Sequence, residues 1–156
     1  MEKIYIAYGS NMNLRQMGYR CPNAKEIGTG KLKDHELLFK GAENNAYATI
    51  EPKEGAEVDV VLWKISKSDE KSLDRYEGYP RFYTKETVAV QMEDGTQIDG
   101  MAYVMDRRQE IGMPSKLYFQ IVAEGYVEHG IDMEPLIQAV SNASVQIEEQ
   151  IPQMEM

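Results

Sequence analysis

The chain has 156 residues, 42% of them hydrophobic and 28% charged, and a formal charge of -9. That length supports one sizeable core and is short for two. The acidic balance disfavours nucleic acid and anionic membrane surfaces as partners, since both call for a basic face.

Residues 3–8 read as a first strand, because Ile4, Tyr5, Ile6 and Ala7 are apolar or favour extended backbone. No signal-peptide pattern marks the N-terminus, and no apolar run nears the roughly 20 residues that cross a bilayer. Residues 13–19 read as a short helix, capped by Asn11 or Asn13 and ended by Cys21-Pro22. Cys21 is the one cysteine, so no internal disulfide forms and a reducing, cytoplasmic setting is expected. Two distant histidines and one cysteine assemble no soft-metal site, and no calcium-loop spacing is present.

Residues 31–41 and 46–52 read as strands, as do residues 57–66, which alternate and then run apolar. Residues 66–78 read as a helix, with Ser66 and Asp69 placed for a capping box and Gly78 for a left-handed C-terminal cap. Residues 82–105 read as two strands around an Asp94-Gly95 turn. Pro114-Ser115 opens a helix that Gly130 closes, with Leu117, Tyr118, Ile121, Val122 and Tyr126 toward one side. A last helix starts near Met133. Residues 1–140 are expected to form a single domain, and residues 141–156, with little pattern, a loosely held tail. Strands and helices do not alternate strictly, and the 82–105 hairpin is antiparallel. The class is α+β: a mixed sheet, strongly curved or closed into a small barrel, flanked by helices.

Two stretches carry chemistry. Gly9-Ser10-Asn11 joins the first strand to the first helix. Glycine opens backbone angles closed to other residues and lets a ligand approach the main chain. Three successive N–H groups there can converge on a carboxylate or a developing oxyanion. The same three residues also make ordinary turns, and they match neither a P-loop nor a dinucleotide fingerprint.

The second stretch surrounds Glu77. It lies four residues after Leu73, on the face expected to turn inward, and at the helix end where the macrodipole disfavours an anion. Partial burial there would raise its pKa toward the range of a general acid or base. The plain alternative is a solvated glutamate at a frayed end. Tyr83, six residues on, can turn toward the same space or simply pack in its strand.

In order along the chain, YGSNMN (8–13), RCP (20–22), LLFKG (37–41), LDRYEGYPRFY (73–83) and PSKLY (114–118) resemble the γ-glutamylcyclotransferase-like family, also called the AIG2-like fold. The resemblance spans Ile4 to about Ile131. It departs at Met12, where leucine is usual, and at Val60, where many members carry glycine. It implies a small mixed β-barrel flanked by helices. Carried over by position, Tyr8, Gly9, Ser10 and Asn11 would form the binding loop and Glu77 would be the acid/base. Tyr83 and Tyr118 would line the pocket, with Tyr103 as a further lining residue.

The implied reaction is cyclisation of a small-molecule γ-glutamyl amide to 5-oxoproline with release of an amine or amino acid. It implies no metal and no cofactor, in a monomer or homodimer. The identity of the leaving group is not legible, because loops 41–45 and 106–113 carry no readable code. Two other classes stay open at this stage: a non-catalytic module that binds a metabolite or protein, and a different amide-cleaving enzyme. No Ser-His-Asp or Cys-His constellation is legible for the latter.

Overall fold

The computed structural model describes the backbone of residues 2–154. Five strands close into a barrel: β1 (Lys3–Ala7), β2 (Lys25–Ala42), β3 (Asn45–Ile65), β4 (Tyr83–Met92) and β5 (Gln97–Met105). Their order around the barrel is β1-β3-β2-β4-β5. Four neighbouring pairs are antiparallel. The fifth, β5 against β1, is parallel, with Tyr5 opposite Met101. Around the barrel lie α1 (Leu14–Arg20), α2 (Lys67–Glu77), α3 (Lys116–Glu128) and α4 (Glu134–Met154). The fold is α+β, and the mixed sheet is closed. No helix among the described residues is long and apolar enough to cross a membrane.

The three expected segments 31–41, 46–52 and 57–66 are parts of one long hairpin. β2 and β3 run on through residues 25–30 and 53–56, where side chains are largely exposed and the apolar alternation lapses. The ladder absorbs irregularities between Glu26 and Gly28 and between Lys33 and His35. At the second, Asp34 takes a left-handed φ of 57° and accepts a hydrogen bond from the Gly55 N–H. Val60 is fully buried, and its cross-strand partner is Gly30. A small residue therefore faces the valine that stands where relatives are expected to carry glycine.

Local signals place the helices as expected. Ser66 accepts from the Asp69 N–H and Asp69 accepts from the Ser66 N–H, which completes the capping box of α2. Such a cap is worth about 1 kcal/mol. Gly78 ends the helix in the left-handed conformation, φ 65°. Leu73, on the inner face of α2, is fully buried. Asn13 caps α1 by accepting from the N–H groups of Arg15 and Gln16, so the cap is Asn13 and not Asn11.

Where a tail with little pattern was expected, the backbone is helical. α4 continues from Glu134 through residue 154. Its inner stripe is Leu136, Ala139, Val140 and Ala143, at helical spacing, and the helix packs on β2. Half of the stripe is alanine, so hydrophobic content alone did not reveal it.

Candidate active site

Between the ends of β1 and α2 lies a cavity of about 200 Å³. Its size suits a small metabolite, below the ~300–1,000 Å³ of sites for larger ligands. Tyr8, Gly9, Ser10, Asn11, Glu77, Tyr83, Tyr103 and Tyr118 all line it. Residues from the segment after β1 and from β4, β5, α2 and α3 thus meet in one place, although they are scattered through the sequence.

The 9–11 loop differs from the expected nest. Ser10–Met12 form one turn of 3₁₀-helix. The N–H groups of Met12 and Asn13 are taken by the carbonyls of Gly9 and Ser10. Those of Ser10 and Asn11, at the head of the turn, have no such partner among the described residues. Gly9 has φ -126°, so a left-handed backbone is not its reason for being there. Space is the reason. A Cβ on Gly9 would lie 3.0 Å from the Tyr118 hydroxyl and 3.3 Å from the Ala48 Cβ.

Helix α3 braces this loop from behind. Asn13 Nδ2 donates to the Ile121 carbonyl at 3.0 Å. His129 Nε2 lies 2.7 Å from the Met12 carbonyl oxygen, which only a donor can satisfy, so Nε2 carries the proton. Trp63 Nε1 donates to the Asn11 carbonyl at 3.0 Å, and Asn11 Nδ2 donates to the Tyr5 hydroxyl at 3.0 Å.

Glu77 is the last residue of α2, half-buried, and the one charged side chain lining the cavity among the described residues. Burial pushes its carboxyl up from an ordinary 4.5 to about 7, against the opposing pull of the Arg20 cation. The expectation named burial and the helix dipole together; burial is the main cause here.

Most of the rest of the wall is phenolic. Seven of the ten tyrosines line the cavity. Burial raises Tyr5, Tyr8, Tyr83, Tyr103 and Tyr118 well above the ordinary phenol value, so all five are protonated near neutral pH. Their donors are not equally free. Tyr8 donates to the Tyr103 carbonyl, Tyr83 to the Ala48 carbonyl and Tyr103 to Asp74. The Tyr118 hydroxyl instead accepts from the Ala48 N–H at 3.1 Å, which leaves its proton to offer to a ligand.

Sequence reasoning missed Tyr5, Tyr47, Tyr76 and Phe82 on this wall. It also missed Arg20, which donates to Asn11 Oδ1 at 2.7 Å and lies over the Tyr76 ring. The signal available was the number of tyrosines, high for a chain of this length, though not their convergence.

The family model described as gamma-glutamyl cyclotransferase, AIG2-like, matches residues 5–120. The chain belongs to this family. The bovine and human proteins named gamma-glutamylcyclotransferase are 31% and 32% identical to it over 139 residues, which is 84% of this chain and 73% of each relative. A solved structure named gamma-glutamyl cyclotransferase matches with a TM-score of 0.81 at 30% identity, covering 89% of this chain and 86% of the other. A crystal structure of an uncharacterized human protein gives 0.80 at 31% identity, over 88% of this chain and 86% of the other. The gamma-glutamyl cyclotransferase match ends at residue 120, so it includes every residue of the cavity wall and none of α4.

Proposed function

We propose that the protein is a cyclotransferase that converts a γ-glutamyl amide to 5-oxoproline and releases the amine, with Glu77 as general base and then general acid. The observation that carries this reading is a lone carboxylate, poised near neutrality, in a cavity otherwise walled by neutral donors and aromatic rings.

The substrate's α-ammonium passes one proton to Glu77. The freed amine attacks the γ-carbonyl carbon of the same molecule, and a C–N bond closes the ring. As the amide C–N bond breaks, Glu77 returns that proton to the departing nitrogen. The attacking nitrogen's second surplus proton leaves with the released amine, which ends as an ammonium. Nucleophile and electrophile share one molecule, so holding the folded conformer supplies much of the rate. The Ser10 and Asn11 N–H groups and the Tyr118 O–H supply donors for an anion, either the α-carboxylate or the tetrahedral oxyanion. The family membership and the relatives' names support this reaction class.

The direct test is a panel of γ-glutamyl compounds incubated with the protein and assayed for 5-oxoproline by mass spectrometry. Its formation from at least one member is expected; a panel spanning amino acid and amine leaving groups with no product rejects the reading.

Two further outcomes follow from the geometry. The kcat/KM of an accepted substrate should rise with pH through about 7, because only ionised Glu77 can take the first proton. A profile flat from pH 5 to 8 would remove Glu77 as the base. Gly9→Val should weaken binding of 5-oxoproline by roughly tenfold or more, the scale of a lost hydrogen bond to a charged group. The added methyls would displace the Tyr118 hydroxyl from the loop. Isothermal titration calorimetry checks this, and unchanged affinity would show that the loop does not touch the ligand.

A further inference from the structure

We infer that Arg20 is a positioning residue: one guanidinium joins the 9–11 loop to Tyr76, the neighbour of Glu77 at the end of α2, and it is the cation set against the Glu77 charge. The inference deepens the proposed reaction and rests on the role given there to Glu77.

Arg20 is the last residue of α1 and does not line the cavity. Its Nη1 donates to Asn11 Oδ1 at 2.7 Å, which leaves Asn11 Nδ2 to bind the Tyr5 hydroxyl. Its Cζ lies 3.4 Å above the centre of the Tyr76 ring. The Tyr76 hydroxyl in turn meets Ser10 Oγ at 3.0 Å. The guanidinium therefore holds the loop directly through Asn11 and indirectly through Tyr76 and Ser10. Tyr76 is the residue before Glu77, so the same contacts fix the end of α2 against the loop.

Burying a carboxylate without a compensating charge favours its neutral form. The groups that interact with Glu77 are Tyr5 and Tyr8 on the β1 side, Tyr83 on β4, Tyr118 on α3 and Arg20 on α1. The tyrosines are neutral near pH 7, so Arg20 alone among them carries charge. It acts across space, since no hydrogen bond or ion pair joins Arg20 to Glu77 among the described residues, while one N–H is held by Asn11 and its flat face lies on Tyr76. A lysine could keep the charge, but an ammonium cannot stack flat on a ring while reaching Asn11 in the same geometry.

A cation in the last turn of α1 also has a plain structural use, favourable contact with that helix's negative end. The test separates the two. In Arg20→Gln and Arg20→Lys, the Glu77 carboxyl is titrated by ¹³C NMR, its signal assigned by its loss in Glu77→Gln. The kcat and KM of an accepted γ-glutamyl substrate are measured against pH, with melting temperatures as the folding control.

In Arg20→Gln, Glu77 should titrate at higher pH than in the wild type. Its kcat/KM near neutral pH should fall roughly 10- to 100-fold, with a raised KM, as expected for a lost charge-assisted hydrogen bond. In Arg20→Lys, which keeps the helix-end charge, the titration should return toward wild type while KM stays raised. A wild-type Glu77 titration and wild-type KM in Arg20→Gln would overturn the inference and leave Arg20 a helix-end cation. If Arg20→Gln does not fold, a wild-type KM in Arg20→Lys overturns the positioning role by itself. The NMR titration needs no turnover. A shifted titration in a protein that makes no 5-oxoproline would uphold the Arg20–Glu77 coupling and reject the reaction.

Discussion

Glu77→Gln should abolish 5-oxoproline formation and make the protein more stable at neutral and alkaline pH. Glutamine keeps the shape of the side chain and loses its titration. General acid–base catalysis is typically worth 10²–10⁴-fold, and here one group serves both proton transfers, so the upper part of that range is expected. The stability gain has a definite sign. Burial holds the Glu77 carboxyl at about 7 in the folded protein, against 4.5 ordinarily. Below pH 4.5 both folded and unfolded chains hold the proton, and ionisation costs nothing. Between 4.5 and about 7 the folded state keeps a proton that the unfolded chain has lost, so stability falls as pH rises. Above about 7 the whole penalty is present, on the order of 1–3 kcal/mol. Melting curves of wild type and variant should therefore nearly coincide near pH 4.5 and diverge, variant higher, by pH 8. A variant active at the wild-type rate would exclude Glu77 as catalyst. A stability difference that does not change with pH would place the carboxylate in water.

Acylating the α-amine of an accepted γ-glutamyl substrate should end the reaction completely. The acyl group removes the nucleophile, so no ring can close whatever the affinity. Removing the α-carboxylate is a milder change. It deletes a charge-assisted anchor, roughly 1.5–3 kcal/mol, and should lower kcat/KM without destroying the chemistry. An enzyme that used water as nucleophile would reverse the order, cleaving the N-acylated compound to the acylated glutamate. Mass spectrometry of the two analogues distinguishes these outcomes, and hydrolysis of the acylated one would replace cyclisation with ordinary amide cleavage.

The elements legible in the sequence were those announced by local chemistry. The capping box at Ser66 and Asp69, the left-handed Gly78 and the Ser115 cap are all short-range signals, and each stands where its residues pointed. What escaped was set by distance. The extensions of β2 and β3 are exposed and polar, held by the ladder and not by burial, so no alternation marks them. α4 buries mainly small residues, which carry a weak apolar signal. In the cavity, Tyr8, Gly9, Ser10, Asn11 and Glu77 lay in stretches with unusual local grammar. Tyr5 and Tyr47 lay in ordinary strands, where an aromatic residue is expected for packing alone. Arg20 lay at the end of a short helix, where a cation needs no other reason. Only the closed barrel brings these groups to one point.

The barrel's closing joint is the parallel meeting of β1 with β5 at Tyr5 and Met101. β2 and β3 can zip together from the tight turn where Ala42 faces Asn45, and β4 and β5 from the turn around Gly95. The β1–β5 joint unites the start of the chain with a strand formed far along it. Its loop-closure entropy is the greatest of the five, and it is the step expected to form last and open first. The cavity sits across that joint, where the Tyr5 and Tyr103 rings meet edge to face at 5.8 Å. A ligand touching both rings acts as a latch on the barrel. Occupancy of the cavity would then be written into the hydrogen-exchange protection of the β1 and β5 amides.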